Sequence, residues 1–212
     1  MRLLSAIVAS LTTQFAIAST PIDGWYGTVF GGYANIPDNI STTRDGVART
    51  NANYQAGYHA GGSIGFKSNP MRYEGEITYM NANINHFRVN NIRQTSVSGY
   101  NNNLLAMANV YYDFPVLLEP FQPFAGIGIG YAWVHAILNS QGPSAATQFS
   151  GSNSVFAYQA TAGVTYNFSE FYALNAGYRY VATIRSDSLG KIVQASLVNL
   201  GVVFRFDQGK YK

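Results

Sequence analysis

Apolar side chains recur at every second position along one stretch of the chain, residues 192–206. The apolar set consists of Val198, Leu200, Val202, Phe204 and Phe206. The alternate set is mixed and partly charged, and consists of Leu197, Asn199, Gly201, Val203 and Arg205. A repeat of two indicates a β-strand with one apolar face. A strand with lipid on one face and a crowded polar interior on the other has this pattern, so the stretch predicts a strand of a transmembrane barrel.

Eight segments have strand character, and each is at least as long as the roughly 9–11 residues that a tilted membrane strand needs. They lie at 24–36, 54–68, 71–86, 100–114, 121–138, 154–168, 171–185 and 192–206. The connections after the second, fourth and sixth segments are short and rich in turn formers. Those at 37–53, 87–99 and 139–153 are long and polar, and the last outer connection, 186–191, is short. This asymmetry predicts an all-β fold, an eight-stranded antiparallel up-and-down transmembrane β-barrel whose last strand pairs with its first.

Parity predicts which way the side chains of each strand face. Among the residues of inward parity we single out six that are charged or titratable, namely His59, Arg72, Glu74, Glu76, Arg179 and Arg205. On 121–138 the inward positions include Gly126, Gly128 and Gly130, which we interpret as room for bulky neighbours in a narrow lumen. Segment 24–36 has aromatic residues in both parities, so its facing stays open.

Composition and the amino-terminal segment support export to a membrane. Charged residues make up only 11% of the chain, against roughly 25% in an average soluble domain. Arg2, an apolar run and an Ala-x-Ala site ending at Ala18 predict a cleavable signal peptide at 1–18, followed by the barrel at 19–206 and a short tail at 207–212. A soluble β-sandwich would show the same alternation, but the signal, the loop asymmetry and the low charge favour the membrane barrel.

The inward charges are the sharpest chemical feature of the sequence. Charges in so small an interior must pair, and we expect Glu76 and Glu74 to form ion pairs with Arg179 and Arg205 that plug the barrel. Paired carboxylates can also serve acid–base catalysis, but a plugged lumen gives a substrate no access. His135 and Ser154 near the outer rim lack an orienting carboxylate. We therefore predict no catalytic, cofactor or metal site, and the absence of clustered basic residues argues against nucleic acid.

The long loops are the surface through which partners could act. The candidate contact residues in them are Arg44, Arg49, Phe87, Arg88 and Arg93. Arginines on exposed loops can bind anionic glycans, lipopolysaccharide phosphates or host proteins, although exposed charges need no ligand.

Three stretches carry a family resemblance: MANVYYDF at 107–114, PFAGIGIGYAWV at 123–134 and FAYQATAGVTYNF at 156–168. With the strand pattern, they make the chain similar to the eight-stranded outer-membrane barrels of the OmpA-like and opacity type, and to major surface antigen barrels of intracellular bacteria. The resemblance implies a non-enzymatic protein of the bacterial outer membrane with an envelope-structural role and adhesion through its loops. A small-solute channel is the alternative, and an outer-membrane lipid-modifying enzyme is a third possibility. Implied partners are outer-membrane lipid and lipopolysaccharide, the barrel assembly machinery and periplasmic chaperones during insertion, and a host-surface ligand.

Overall fold

The structure is a computed structural model of the chain. It describes residues 23–37, 39–42, 49–54, 56–89, 92–93, 96–115, 120–141, 146–184, 192 and 194–206. The predicted signal peptide at 1–18 and the predicted tail at 207–212 lie outside the described residues, as does the predicted connection at 186–191.

β-strands account for the regular structure of the described chain. They are β1 (Gly24–Asn35), β2 (Asn39–Thr42), β3 (Arg49–Tyr54), β4 (Gly57–Ser68), β5 (Met71–Val89), β6 (Ile92–Arg93), β7 (Ser96–Asp113), β8 (Phe121–Gln141), β9 (Ala146–Asn167), β10 (Tyr172–Thr183) and β11 (Gln194–Arg205). Within the described residues, no helix is long and apolar enough to cross a membrane.

Eight of these strands close into an antiparallel barrel. The order around the wall is β1, β4, β5, β7, β8, β9, β10 and β11, and closure comes from pairing of β5 with β7 and of β11 with β1. The predicted eight-stranded barrel, including the pairing of its last strand with its first, is confirmed. We call the end with the short turns at 68–71 and 168–172 the turn end, and the opposite end the loop end.

Strand structure continues into the segments that the sequence predicted as loops. β2 and β3 pair with each other inside 37–53, and β3 also pairs with the end of β5. β8 and β9 pair as far as Gln141 and Ala146, so most of 139–153 is strand as well. Backbone hydrogen bonds extend a ladder wherever both strands continue, and they need no apolar face. Periodicity did not distinguish these extensions from loops, because their sequences are rich in Asn, Ser, Thr and Gly.

The side-chain facing follows the predicted parity. Outward apolar residues such as Ile127 and Leu200 are 71% and 67% exposed on the protein surface, whereas Glu76 and Arg179 inside are 3% and 4% exposed. The open question of the first strand is settled in favour of Tyr26 inside. The sequence did not decide this because both faces of β1 carry aromatic rings.

Aromatic rings form a belt around the outside of the turn end. Neighbouring rings of β8, β9, β10 and β11 lie with their centroids 5.1–6.5 Å apart, in the series Phe121, Tyr166, Phe168, Tyr172, Phe204 and Phe206. Such girdles lie at the membrane–water interfaces of outer-membrane barrels. The belt therefore marks one boundary of the membrane-embedded wall.

The lumen changes character along the barrel axis. Its charged residues lie in the turn half and at mid-depth, whereas one apolar cluster occupies most of the loop half, with Asn101 and Asn103 buried beside it. That cluster, the apolar layer, consists of Ala34, Ile36, Met80, Ala82, Leu105, Met107, Ala132, Val134, Val155, Ala157, Val181, Ala195 and Leu197. The expectation of a polar lumen therefore holds for only half of the barrel. The apolar layer lies level with outward aromatic residues such as Trp133, where the wall emerges from lipid, and packs there as the core of a soluble barrel does.

Candidate functional site

A buried carboxylate lies at the centre of the lumen. Arg179 Nη1 donates to Glu76 Oε1, and the two side chains are 5% and 1% exposed. Thr78 Oγ1 donates to the same oxygen at 2.6 Å, and Asn109 Nδ2 donates to Glu76 Oε2 at 2.9 Å. Gln159 Nε2 in turn donates to Asn109 Oδ1 at 2.7 Å. These five residues, the central cluster, tie β5, β7, β9 and β10 together across the lumen.

The central cluster continues to the opposite wall. The guanidinium of Arg179 lies 5.0 Å from the ring centroid of Phe30 on β1, within the range of a cation–π contact. With the Asn199 amide oriented to match its neighbours, its nitrogen donates to His59 Nε2 at 2.5 Å and its oxygen accepts from Arg179 at 3.3 Å. His59 is thus a hydrogen-bonded member of a lumen network and is 2% exposed.

A second group of charges closes the turn end. Asp113 accepts from two cations, Lys67 Nζ at 2.9 Å on Oδ2 and Arg72 Nε at 2.8 Å on Oδ1. Arg72 Nη1 also lies 3.3 Å from Glu74 Oε1, and the Tyr26 hydroxyl donates to that oxygen at 2.5 Å. We call these five residues the basal cluster. The charged side chains are at most 8% exposed, so each ion pair is shielded from solvent screening.

The structure corrects one predicted ion pair. Glu74 does not pair with Arg205, whose guanidinium instead donates to Asn167 Oδ1 at 2.6 Å and to the carbonyl of Glu170 at 3.3 Å. Tyr26 explains the difference, because it lies opposite Arg205 in the β1–β11 register and occupies Glu74 with its hydroxyl. Among the described residues, no carboxylate lies within ion-pair distance of Arg205.

Sequence reasoning missed Lys67, Asp113 and Tyr26 as members of the basal cluster. Lys67 has the same inward parity as His59, so the signal for it was present. Asp113 precedes Pro115 and reads as an ordinary turn residue, although its parity matches that of Asn109. A charged residue of inward parity next to a turn should be counted as a lumen residue, as one in mid-strand is, because the barrel wall still surrounds it.

The remaining candidates divide between the lumen and the loop end. The register places His135, which is half-buried, opposite Ser152 and places Ser154 opposite Trp133. The described residues contain no group of three or more His, Cys, Asp or Glu side chains that could hold a metal ion. Arg44 lies outside the described residues.

The loop-end sheet brings three arginines to one face. Arg88 lies opposite Arg93 on β6 and opposite Asn51 on β3. Residues directly opposite share a face of a sheet, and so do residues two apart on one strand, which places Arg49 on the face of Asn51. Arg49, Arg88 and Arg93 therefore share a face, whereas Phe87 lies opposite Ala52 on the other.

The inward glycines of β8 accommodate bulky neighbours, as predicted. A Cβ at Gly126 would lie 2.8 Å from Tyr111 Cγ, and a Cβ at Gly128 would overlap Asn109 Oδ1. We expect Gly128→Ala to lower the free energy of unfolding by about 1–3 kcal/mol, because the added methyl group would overpack the lumen. Urea unfolding of the refolded protein in lipid vesicles measures this. Gly75→Ala is the matched control, since a Cβ there meets nothing within 4 Å; equal losses for the two variants would contradict the steric argument.

Side chains fill the lumen almost completely. One internal cavity of about 40 Å³ lies between the two clusters, and a second of about 10 Å³ lies beside the basal cluster. A single water needs about 10–15 Å³ in this measure, so the cavities admit a few water-sized groups. Above them lies the apolar layer.

Similarity to known proteins covers nearly the whole chain. A family profile described as "Outer membrane protein beta-barrel domain" matches residues 3–206. An "Outer membrane protein" of Gluconacetobacter diazotrophicus is 30% identical over 94% of this chain, and the chain spans 57% of that relative's length. Neisserial surface protein A is 18% identical with a TM-score of 0.52, covering 86% of this chain and 97% of that one. OprG of Pseudomonas aeruginosa is 13% identical with a TM-score of 0.54, covering 88% and 99%. The two solved structures support the barrel fold alone.

Proposed function

This chain belongs to the outer membrane protein beta-barrel family, and from that premise we propose that it is a closed, non-enzymatic surface barrel that acts through its loop end. It is an outer-membrane protein, as the family and the named relative both indicate. The turn end then faces the periplasm, and the loop end faces the cell exterior. The roles we assign to it are mechanical support of the envelope and adhesion.

The filled lumen carries this proposal. Three barriers lie in series along the axis: the basal cluster, the central cluster and the apolar layer. The first two are held by buried ion pairs, and the third fills the lumen with apolar side chains, with Asn101 and Asn103 buried at the same level. A small-solute channel, the alternative function, would require all three barriers to rearrange together. A lipid-modifying enzyme, the third possibility, would require an activated nucleophile at the outer rim.

The arginine face of the loop-end sheet is the surface we propose for binding. The register sets Arg88 opposite Arg93 on one face of the sheet, and we infer that an anionic partner would be attracted to the positive charges gathered there. The planar guanidinium matches sulfate and phosphate in a two-pronged geometry. Sulfated host glycans and lipopolysaccharide phosphates both present such groups. The periplasmic chaperones and the barrel assembly machinery are proposed as partners during insertion only.

The test combines conductance in planar bilayers with binding to a sulfated glycan. We expect the refolded protein to be electrically silent in planar bilayers and to bind immobilised heparin, used as a sulfated-glycan probe. R49Q/R88Q/R93Q should weaken that binding by at least about tenfold, the value of one charge-assisted hydrogen bond, while leaving the barrel folded. For a control matched in net charge, the double variant R88Q/R93Q is compared with R185Q/K191Q, which removes the same number of positive charges from the connection between β10 and β11. Reproducible conductance steps would favour the channel, and equal binding by both variants would contradict a role for the arginine face.

A further inference from the structure

The cavity of about 40 Å³ in the lumen, which we call the lumen cavity, is lined by polar groups that the two clusters do not use and by the rings of Phe30, Tyr111 and Phe124. It lies between the basal and central clusters and is bordered by residues from most strands of the barrel. Arg72 reaches it from below and Arg179 borders it from above. Around the sides, Thr28, Ser63 and Thr161 contribute hydroxyl groups.

Four polar atoms on this wall have no hydrogen-bond partner in the protein. They are Arg72 Nη2 and the hydroxyl oxygens of Thr28, Ser63 and Thr161. Their residues are only 6–7% exposed, so bulk water does not satisfy them. An arginine nitrogen can only donate, and a hydroxyl can turn its hydrogen toward an acceptor. Arg72 Nη2 requires an acceptor in the lumen cavity, and a single acceptor there could also take a hydrogen bond from each of the three hydroxyls.

The charge of the lumen points to an acceptor that is negative. Among the described inward-facing residues, four cations (Lys67, Arg72, Arg179 and Arg205) stand against three carboxylates (Glu74, Glu76 and Asp113), which leaves one excess positive charge with His59 neutral. Ion pairs balance Lys67, Arg72 and Arg179, so the excess charge lies on Arg205, which borders the smaller cavity together with Arg72. Because Arg72 also borders the lumen cavity, an anion beside it would offset part of that costly buried charge.

We propose that the lumen cavity is a binding site for one monovalent halide, with chloride as the natural occupant. Arg72 Nη2 supplies the charged contact, and the three hydroxyls complete the coordination by donation. Glu74 also borders the cavity, but its Oε1 is held by Arg72 Nη1 and the Tyr26 hydroxyl, which draws the carboxylate charge toward those donors. The volume suits an ion the size of a water molecule and excludes a polyatomic anion such as gluconate.

The ion would enter when the barrel closes, since the basal cluster blocks later exchange, so the test begins at refolding. The protein is unfolded in urea and refolded in either sodium bromide or sodium gluconate at equal ionic strength. We expect a higher unfolding temperature after refolding in bromide, and this increase should level off as the bromide concentration rises. In crystals, we expect an anomalous bromide peak within hydrogen-bond distance of Arg72 Nη2. Bromide peaks on the surface alone, an adventitious ion only, would overturn the proposal, as would water density in the cavity.

Substitutions then test the coordination without changing charge. Ser63→Ala and Thr28→Val each remove one donor, and we expect each to raise the half-saturating bromide concentration about tenfold. Thr165→Val is the matched control, because that hydroxyl donates to Asn175 and does not border the lumen cavity. If the control shifts the bromide dependence equally, the hydroxyls do not coordinate an ion. Should a variant fail to fold, the bromide peak in the unmodified protein still decides the question.

Discussion

Replacing Glu76 with alanine is expected to lower the free energy of unfolding by about 3–5 kcal/mol, the cost of leaving one partner of a buried ion pair uncompensated. Arg179 would keep its charge at a position where it is 4% exposed and would lose its only ion-pair partner among the described residues. Thr78 and Asn109 would lose their acceptor in the same step. Urea unfolding in lipid vesicles, followed by the fluorescence of Trp25 and Trp133, measures the change.

Two comparisons separate the contribution of the Glu76–Arg179 ion pair from the general effect of shortening or neutralising a side chain. E76A/R179A removes both charges, so we expect it to cost less than the sum of the two single variants. Glu170→Gln neutralises an exposed carboxylate in the turn between β9 and β10 and should change stability by less than about 0.5 kcal/mol. A Glu76→Ala variant as stable as Glu170→Gln would show that the central cluster does not hold the barrel together.

The same ion pair shows how far sequence reasoning reaches in a barrel. The repeat of two is a property of the strand itself, so parity places Glu76 and Arg179 inside without any knowledge of their neighbours. Which inward residues meet across the lumen depends on strand tilt and stagger, and these are properties of the closed barrel. Residue counting therefore predicted the mid-depth pair correctly but gave Glu74 the wrong partner. The error came through Tyr26, on the one strand whose facing the sequence left open.

The loop half of the barrel could not be predicted for a different physical reason. Periodicity reports the contrast between lipid and lumen, and that contrast ends where the wall leaves the membrane. Beyond that level β8 and β9 continue as paired strands to Gln141 and Ala146, held by backbone hydrogen bonds that any residue can make. At the level of Trp133 most inward side chains are already apolar, as Met80 and Leu105 are, so the two faces of a strand no longer contrast and periodicity loses its signal.

Replacing Asp113 with alanine is expected to lower the free energy of unfolding by at least about 3–5 kcal/mol, the loss expected for Glu76→Ala, because this one substitution leaves two buried cations without their carboxylate. Lys67 would lose its only ion-pair partner among the described residues, and Arg72 would keep only the longer contact to Glu74. The contact of Arg72 with Glu74 would then be the one ion pair left among the described residues to offset the repulsion between the two cations. Urea unfolding of the refolded protein measures the loss.

A second substitution separates repulsion between cations from loss of packing. Lys67→Met keeps the length of the side chain and removes one of the two stranded charges, so K67M/D113A should recover a substantial part of the stability lost in Asp113→Ala. Glu74→Gln is the control for the other carboxylate on Arg72; it should cost less, because Arg72 keeps its 2.8 Å bond to Asp113. If K67M/D113A is no more stable than Asp113→Ala, the basal cluster acts through packing and its charges are incidental. If stability returns, the turn end is closed by charge balance, and Asp113 is the residue that sets it.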